Sequence, residues 1–234
     1  MTDPQLRLHP DKSAFTAAIA GDVAAIIAAA IDARGQSLVA FPGGSTPRPV
    51  FERLCDTPLP WDKVTILPTD ERIVEPGHML SNAAALSTSL APVGATIVPL
   101  VTRVAGDADA GNEADIRVQS LAWPLDLVWL GMGTDGHTAS IFAGPDLANA
   151  LDAPDGRHIV AVRPGELPAE APVSRVTLTA RSIRAAQSIL LSITGVRKRE
   201  LIEAALADGA DSPLPIGQVL AGATNPVTIH WCPE

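Results

Sequence analysis

The chain has 234 residues, of which 47% are hydrophobic and 18% charged, and its formal net charge is -9. That length and apolar content suffice for one substantial core, so a single α/β domain over 1–234 is expected. The acidic balance argues against nucleic acid as a partner, because such a binder needs a basic face to neutralise phosphates, but it leaves room for a small anion held by a few local cations.

The opening stretch "MTDPQLRLHPDKSAF" has no basic segment followed by an apolar one, and no later apolar run reads as long enough to cross a bilayer. Neither secretion nor a membrane partner is expected. The two cysteines, Cys55 and Cys232, lie far apart without metal-ligand spacing, which fits a reducing cytoplasm. From Asp11 to Arg34, Phe15, Ile19, Val23, Ile26, Ile27 and Ile31 recur at helical spacing, and Gly35 is placed to end the helix. Beyond it, the runs "SLVAF", "KVTILP", "ATIVPL", "LDLVWL", "HIVAV", "RVTLT", "SILLSIT" and "VTIHW" read as strands separated by helical patterns. Such alternation predicts a mostly parallel sheet with helices on both faces. The Pro- and Gly-rich stretch "NALDAPDGRHIVAVRPGELPAEAPVSR" reads as a surface excursion within the same domain.

Four strand ends carry candidate chemistry. After "SLVAF" come Gly43, Gly44, Ser45 and Thr46, with Pro47 at the expected first helical position; glycines, a capping hydroxyl and the helix dipole together suit a phosphate, though a plain capped turn explains the same residues. After "KVTILP" come Asp70, Glu71 and Arg72, at the sheet edge where open α/β folds bind ligands, followed by Ser81 and Asn82 as helix caps. After "LDLVWL" comes GMGTDGH, a match to the dinucleotide-binding fingerprint. Asp135 and His137 within it suit acid–base chemistry better than a cofactor loop, provided they are more than an Asx turn and a cap beside the next helix. After "SILLSIT" comes "GVRK", which puts Lys198, one of only three lysines, in the first turn of a helix. Cations there oppose the dipole unless an anion lies nearby, and Arg197 and Arg199 read as a solvated basic run.

Taken in order, "GGSTP", "DER" followed by "SNAAAL", "GMGTDGHTASIF" and "GVRK" resemble the 6-phosphogluconolactonase family over nearly the whole chain. The resemblance implies a three-layer Rossmann-like fold, shared with sugar-phosphate isomerases and deaminases, and no cofactor. It implies a cytoplasmic enzyme that hydrolyses 6-phospho-D-glucono-1,5-lactone, with that small molecule as its partner and a transient contact with glucose-6-phosphate dehydrogenase. It further implies His137 as general base with Asp135 as its neighbour. Gly43, Gly44, Ser45, Thr46, Asp70, Arg72 and Lys198 would hold the phosphate and sugar, and Arg175 matches a further arginine of the pattern. No metal is expected, because a lactone carbonyl is already reactive and the five histidines show no ligand spacing. The chain departs from the family at "FPGGSTP" and at Ile73, which touch pocket walls. Two rivals remain: an amino-sugar phosphate deaminase, disfavoured because Thr138 and Ala139 stand where that family has an Asn-Glu pair, and a sugar-phosphate sensor without catalysis.

Overall fold

In a computed structural model that describes residues 4–163 and 172–234, seven parallel strands form the main sheet. Strand β1 (Gln5–Leu8) leads into helix α1 (Lys12–Arg34), then β2 (Ser37–Phe41), α2 (Arg48–Cys55) and β3 (Val64–Pro68). A short β4 (Asp70–Arg72) precedes α3 (Asn82–Leu90), β5 (Thr96–Ile97), α4 (Asp107–Val118), β6 (Leu127–Leu130) and α5 (Leu147–Leu151). The second half holds β7 (Ile159–Val162), β8 (Arg175–Leu178), α6 (Ala180–Ala185), β9 (Ile189–Thr194), α7 (Val196–Asp208), α8 (Pro215–Leu220) and β10 (Val227–Cys232). The order across the main sheet is β1-β10-β9-β6-β2-β3-β5, and every pairing in it is parallel.

The long helix forms where its periodicity places it. Asp11 caps it by accepting from the Ala14 N–H, and Gly35, at φ 77°, closes it by donating to the Ile31 carbonyl. By length and composition α1 is apolar enough to cross a membrane, contrary to the reading of the sequence. Its Phe15, Ile19, Val23, Ile27 and Ile31 instead pack on one face of the sheet with Val39, Phe41, Leu127 and Trp129. Leu38, Ala40, Val128 and Leu130 point to the other face. A central strand that is apolar at every position thus supplies two cores by alternation.

Two features differ from the sequence reading. The runs "HIVAV" and "RVTLT" do not join the parallel sheet. They form an antiparallel pair that β4 extends into a separate three-stranded sheet, β4-β8-β7. Asp70–Arg72 therefore does not end β3: Pro68 is the last residue of that ladder, and the chain crosses over through Thr69 to pair with β8. Strand β1 escaped notice because it is four residues long, mostly exposed and paired on one side only. The Pro- and Gly-rich excursion falls partly at 164–171, outside the described residues.

His230 on β10 is fully buried. Its Nδ1 lies 3.0 Å from His9 Nε2 and its Nε2 lies 3.1 Å from Asp22 Oδ2, so the neutral ring donates to the carboxylate and accepts from His9. Burial is the largest cause pushing its pKa down, to about 4, and the nearby His9 and Arg7 add to this against the opposing pull of Asp22. Burial lowers the His9 pKa as well. An unfolded histidine protonates near pH 6.5, so below that pH the unfolded chain binds the extra proton and the folded one does not. Stability is fully present above about pH 6.5 and is lost as pH falls toward 4, by on the order of 3 kcal/mol. Denaturant midpoints measured from pH 7 to pH 4 should show this slope, and His230→Gln should flatten it.

Candidate active site

The chain leaves β2 toward β3 on one side and leaves β6 toward β9 on the other, so the strand order reverses between β2 and β6. Connections diverge at such a point and open a crevice beyond the carboxyl ends of the strands. A cavity of about 330 Å³ lies there, and Gly43, Gly44, Ser45, Thr46, Asp70, Arg72, His137, Arg175 and Lys198 all line it. Asp135, the remaining predicted site residue, does not line the cavity but is hydrogen-bonded to His137.

The first wall is the glycine turn. A Cβ on Gly43 would stand 1.9 Å from Asn82 Oδ1, so only glycine lets this loop close against α3. Gly44, Ser45 and Thr46 are exposed to the crevice. The helix that follows starts at Arg48, with Pro47 ahead of it and no side-chain cap. The expected capping by Ser45 or Thr46 is therefore absent, because proline occupies the capping position and brings no acceptor side chain.

The charged triplet divides its labour. Glu71 is 1% exposed and serves the fold: its carboxylate accepts from the backbone N–H groups of Arg72 (2.9 Å), Asn82 (2.8 Å) and Ala83 (2.7 Å) and from the Ser81 hydroxyl (2.9 Å). This places an anion at the N-terminus of α3, where free N–H groups and the helix dipole favour it. Burial, the largest influence, raises its pKa, and the four hydrogen bonds oppose that rise. Ser81 caps α3 as expected, while Asn82 reaches sideways to the Asp70 carbonyl and Arg72 Nη1. Asp70 Oδ2 accepts from Ser140 Oγ at 2.5 Å, tying β4 to the loop after β6. Arg72 stands directly opposite Arg175 across the β4–β8 pair. Like charges in that position repel, so an anion in the cavity they share would relieve them.

The loop after β6 carries the titratable pair. His137 Nδ1 lies 2.6 Å from Asp135 Oδ1, and the same oxygen accepts the His137 backbone N–H at 3.2 Å. Asp135 therefore makes the Asx turn and also fixes the ring, leaving Nε2 as the imidazole's available acceptor. On the Asp135 carboxyl, burial is the largest single influence and raises the pKa, but the charge and hydrogen bonds of His137 together outweigh it and hold the group below its ordinary value. A Cβ on Gly133 would come within 2.3 Å of the His137 ring and 2.4 Å of Asp135 Oδ1. That glycine is what lets the pair form. Ala139 takes φ 48°, a left-handed conformation costing a non-glycine residue about 1 kcal/mol, and is braced by Thr138 Oγ1 donating to the Gly131 carbonyl and Ile141 N to that of Thr138.

The helix expected beside Asp135 and His137 is not there. The next helix, α5, begins only at Leu147, so the glycine run points no helix N-terminus at a pyrophosphate, as a dinucleotide fingerprint requires. Lys198, in the first turn of α7, reaches the cavity from β9. Its burial lowers its pKa, against the pull of Asp135 and Glu234. Arg197 is exposed beside Glu200. Arg199 is less solvated than predicted, since its guanidinium lies 5.1 Å over the Trp231 ring and bonds Glu203. Neither lines the cavity. Sequence reasoning overlooked Phe142, whose ring lies 4.3 Å from that of His137 and 5.2 Å from the Arg175 guanidinium, and Ser192, a cavity wall residue inside an apolar strand. Among the described residues no group of three or more His, Cys, Asp or Glu side chains is placed to hold a metal ion.

Residues 10–231 match the family model described as glucosamine-6-phosphate isomerases/6-phosphogluconolactonase. The chain belongs to this family. It is 40% identical over 228 residues to a 6-phosphogluconolactonase of Mesorhizobium japonicum, covering 96% of this chain and 93% of that protein. To that of Rhizobium meliloti it is 39% identical, covering 97% and 98%. The crystal structure of a 6-phosphogluconolactonase from Shewanella baltica superposes with a TM-score of 0.89 at 30% identity, over 99% of this chain and 98% of that one. The α/β fold with its mostly parallel sheet is thus the family's fold.

Glu71→Ala removes a buried acceptor of four hydrogen bonds and should destabilise the protein by about 3 kcal/mol. Ser81→Ala, which loses a cap, should cost about 1 kcal/mol. Equal melting temperatures for the two variants would show that the carboxylate does not anchor α3.

Proposed function

We propose that the protein hydrolyses 6-phospho-D-glucono-1,5-lactone to 6-phospho-D-gluconate, the second step of the oxidative pentose phosphate pathway, in the cytoplasm and with the whole chain acting as one domain. The observation that carries this reading is the Asp135-oriented His137 at the lip of a cavity shared by Arg72, Arg175 and Lys198. The activity named for its relatives agrees with that chemistry.

In this mechanism the cations and the Gly43–Thr46 loop hold the phosphate, whose binding energy positions the ring. His137 Nε2 takes a proton from a water as its oxygen attacks the lactone carbonyl carbon. Asp135 stabilises the imidazolium through the Nδ1 hydrogen bond. The tetrahedral intermediate then collapses, the bond from the carbonyl carbon to the ring oxygen breaks, and His137 returns the proton to that oxygen. The product acid ionises and leaves as a carboxylate. Phe142 steadies the base, its ring lying against the imidazole that becomes charged. Thr138 Oγ1 is committed to the Gly131 carbonyl and Ala139 carries no acid, so the loop lacks the carboxylate a deaminase would use.

The direct test is to offer freshly prepared lactone and follow its loss above the spontaneous rate. His137→Ala should lower kcat by roughly 10²–10⁴ while product affinity stays near normal. Gly133→Ala should fold yet lose about 10²-fold in kcat, because the new Cβ displaces the pair. Near-normal turnover in both variants would remove His137 from the reaction.

Substitutions among the cations should separate by position. Lys198→Ala should raise KM about 10-fold or more, the worth of a hydrogen bond to a charged group. Arg199→Ala should leave KM unchanged and lower only the melting temperature, since it loses its contact with Trp231. A matching KM rise in both variants would mean that Lys198 acts through general charge rather than contact.

A further inference from the structure

We propose that the Ser192 hydroxyl donates a hydrogen bond to an oxygen of the sugar portion of the bound ligand, and that the buried Trp129 indole holds it in that role. This rests on the reading of the cavity as a sugar-phosphate site. Ser192 lies near the carboxyl end of β9, is 5% exposed and lines the cavity. Its neighbours along the strand, Leu190, Leu191 and Ile193, are all apolar and buried. A lone hydroxyl at such a position carries a desolvation cost unless its bonds are made.

One of those bonds is made by Trp129, which donates Nε1–H to Ser192 Oγ at 2.9 Å. An indole N–H can only donate, so Ser192 accepts here. The indole has no latitude to turn, being fully buried with its ring edge-on to Phe41 at 5.7 Å and to Phe51 at 5.6 Å. The Ser192 proton is then the unspent half of the hydroxyl. Among the described residues it has no protein acceptor, and the cavity is the open space that the side chain lines. A hydroxyl that accepts one hydrogen bond is polarised into a better donor for the next. Trp129 therefore sets both the direction and the strength of the donor.

The donor is neutral, and this selects its target. Arg72, Arg175 and Lys198 line the same cavity and supply charge for the phosphate. An uncharged donor discriminates best at an uncharged oxygen, a hydroxyl or carbonyl of the sugar, because a ligand lacking that oxygen leaves the hydroxyl buried and unpaired.

Ser192→Ala alone would also orphan the indole N–H and confuse affinity with stability. The informative pair is Trp129→Phe against Trp129→Phe/Ser192→Ala, in which no indole is left to be stranded. Trp129→Phe should itself weaken 6-phosphogluconate binding, because it releases the hydroxyl, and the double variant should melt near the single one, bind 6-phosphogluconate about 2- to 5-fold more weakly again and bind inorganic phosphate equally well. Ser192→Cys in the otherwise unchanged protein, which keeps the shape but donates poorly, should weaken 6-phosphogluconate binding in the same sense and serves if Trp129→Phe does not fold. Unchanged 6-phosphogluconate affinity in both comparisons overturns the proposal, and an equal loss for inorganic phosphate overturns the assignment to the sugar. If the parent protein itself does not bind 6-phosphogluconate, the sugar-phosphate reading fails and Ser192 falls with it. A parent that binds while the Ser192 variants match it sinks Ser192 alone.

Discussion

All seven strands of the main sheet run the same way, and the direction of the connections reverses once, between β2 and β6. The placement of the active groups depends on that constraint. Parallel pairing sends the loops after β2, β6 and β9 to one edge. Because these strands are neighbours in the order β9-β6-β2, the glycine turn, the Asp135–His137 loop and the start of α7 meet over a few strand spacings. The small sheet closes the remaining side by carrying Arg72 and Arg175 to the same place. Rigid ladders hold the parts, while the loops supply the chemistry.

A chain with a net charge of -9 gathers Arg72, Arg175 and Lys198 around one cavity by local arrangement, against its overall field. Arg72 and Arg175 are held opposite each other, and Lys198 is half-buried against its own preference for water. A phosphate bound between them would lower both costs. Acidic groups close by are engaged elsewhere: Glu71 with the N-terminus of α3, Asp70 with Ser140 and Asn82, and Asp135 with His137. A carboxylate committed to protein donors repels an incoming anion less than a free one would.

Much of this was legible from residue order. Strands β2, β3, β6, β9 and β10 announce themselves as apolar runs of the right length, and α1 by its period and by Asp11 and Gly35 at its ends. The motif residues that end those strands converge because a parallel sheet leaves them no other edge. What stayed hidden depends on long-range pairing. The separate sheet of β4, β8 and β7 could not be read from apolar runs, since burial on both faces looks alike in either sheet. Nothing next to Glu71 in the sequence marks its role, because its partners on α3 and its cap lie ten to twelve residues away at Ser81, Asn82 and Ala83. Ser192 was hidden inside an apolar strand, and its partner Trp129 is 63 positions distant. The absent helix after His137 went unseen for the opposite reason, because a local glycine pattern suggested a helix that the turn around Ala139 replaces.

The openness of the titratable pair fits the proposed reaction. Asp135 has 60% of its side chain exposed and His137 has 30%. A site that must protect a hydride, a carbanion or another water-sensitive species needs to exclude solvent, usually behind a lid. Hydrolysis of a lactone uses water as its second substrate on a carbonyl that is reactive without strong activation, so under the proposed mechanism orientation of the base matters more than dryness. The geometry spends its precision accordingly. Gly133 is bare so that ring and carboxylate can approach to 2.6 Å, Phe142 bears on the ring, and Ser192 and Arg175 on the cavity wall are buried. A wet mouth and a dry floor are what hydrolysis of an anchored lactone asks of a fold.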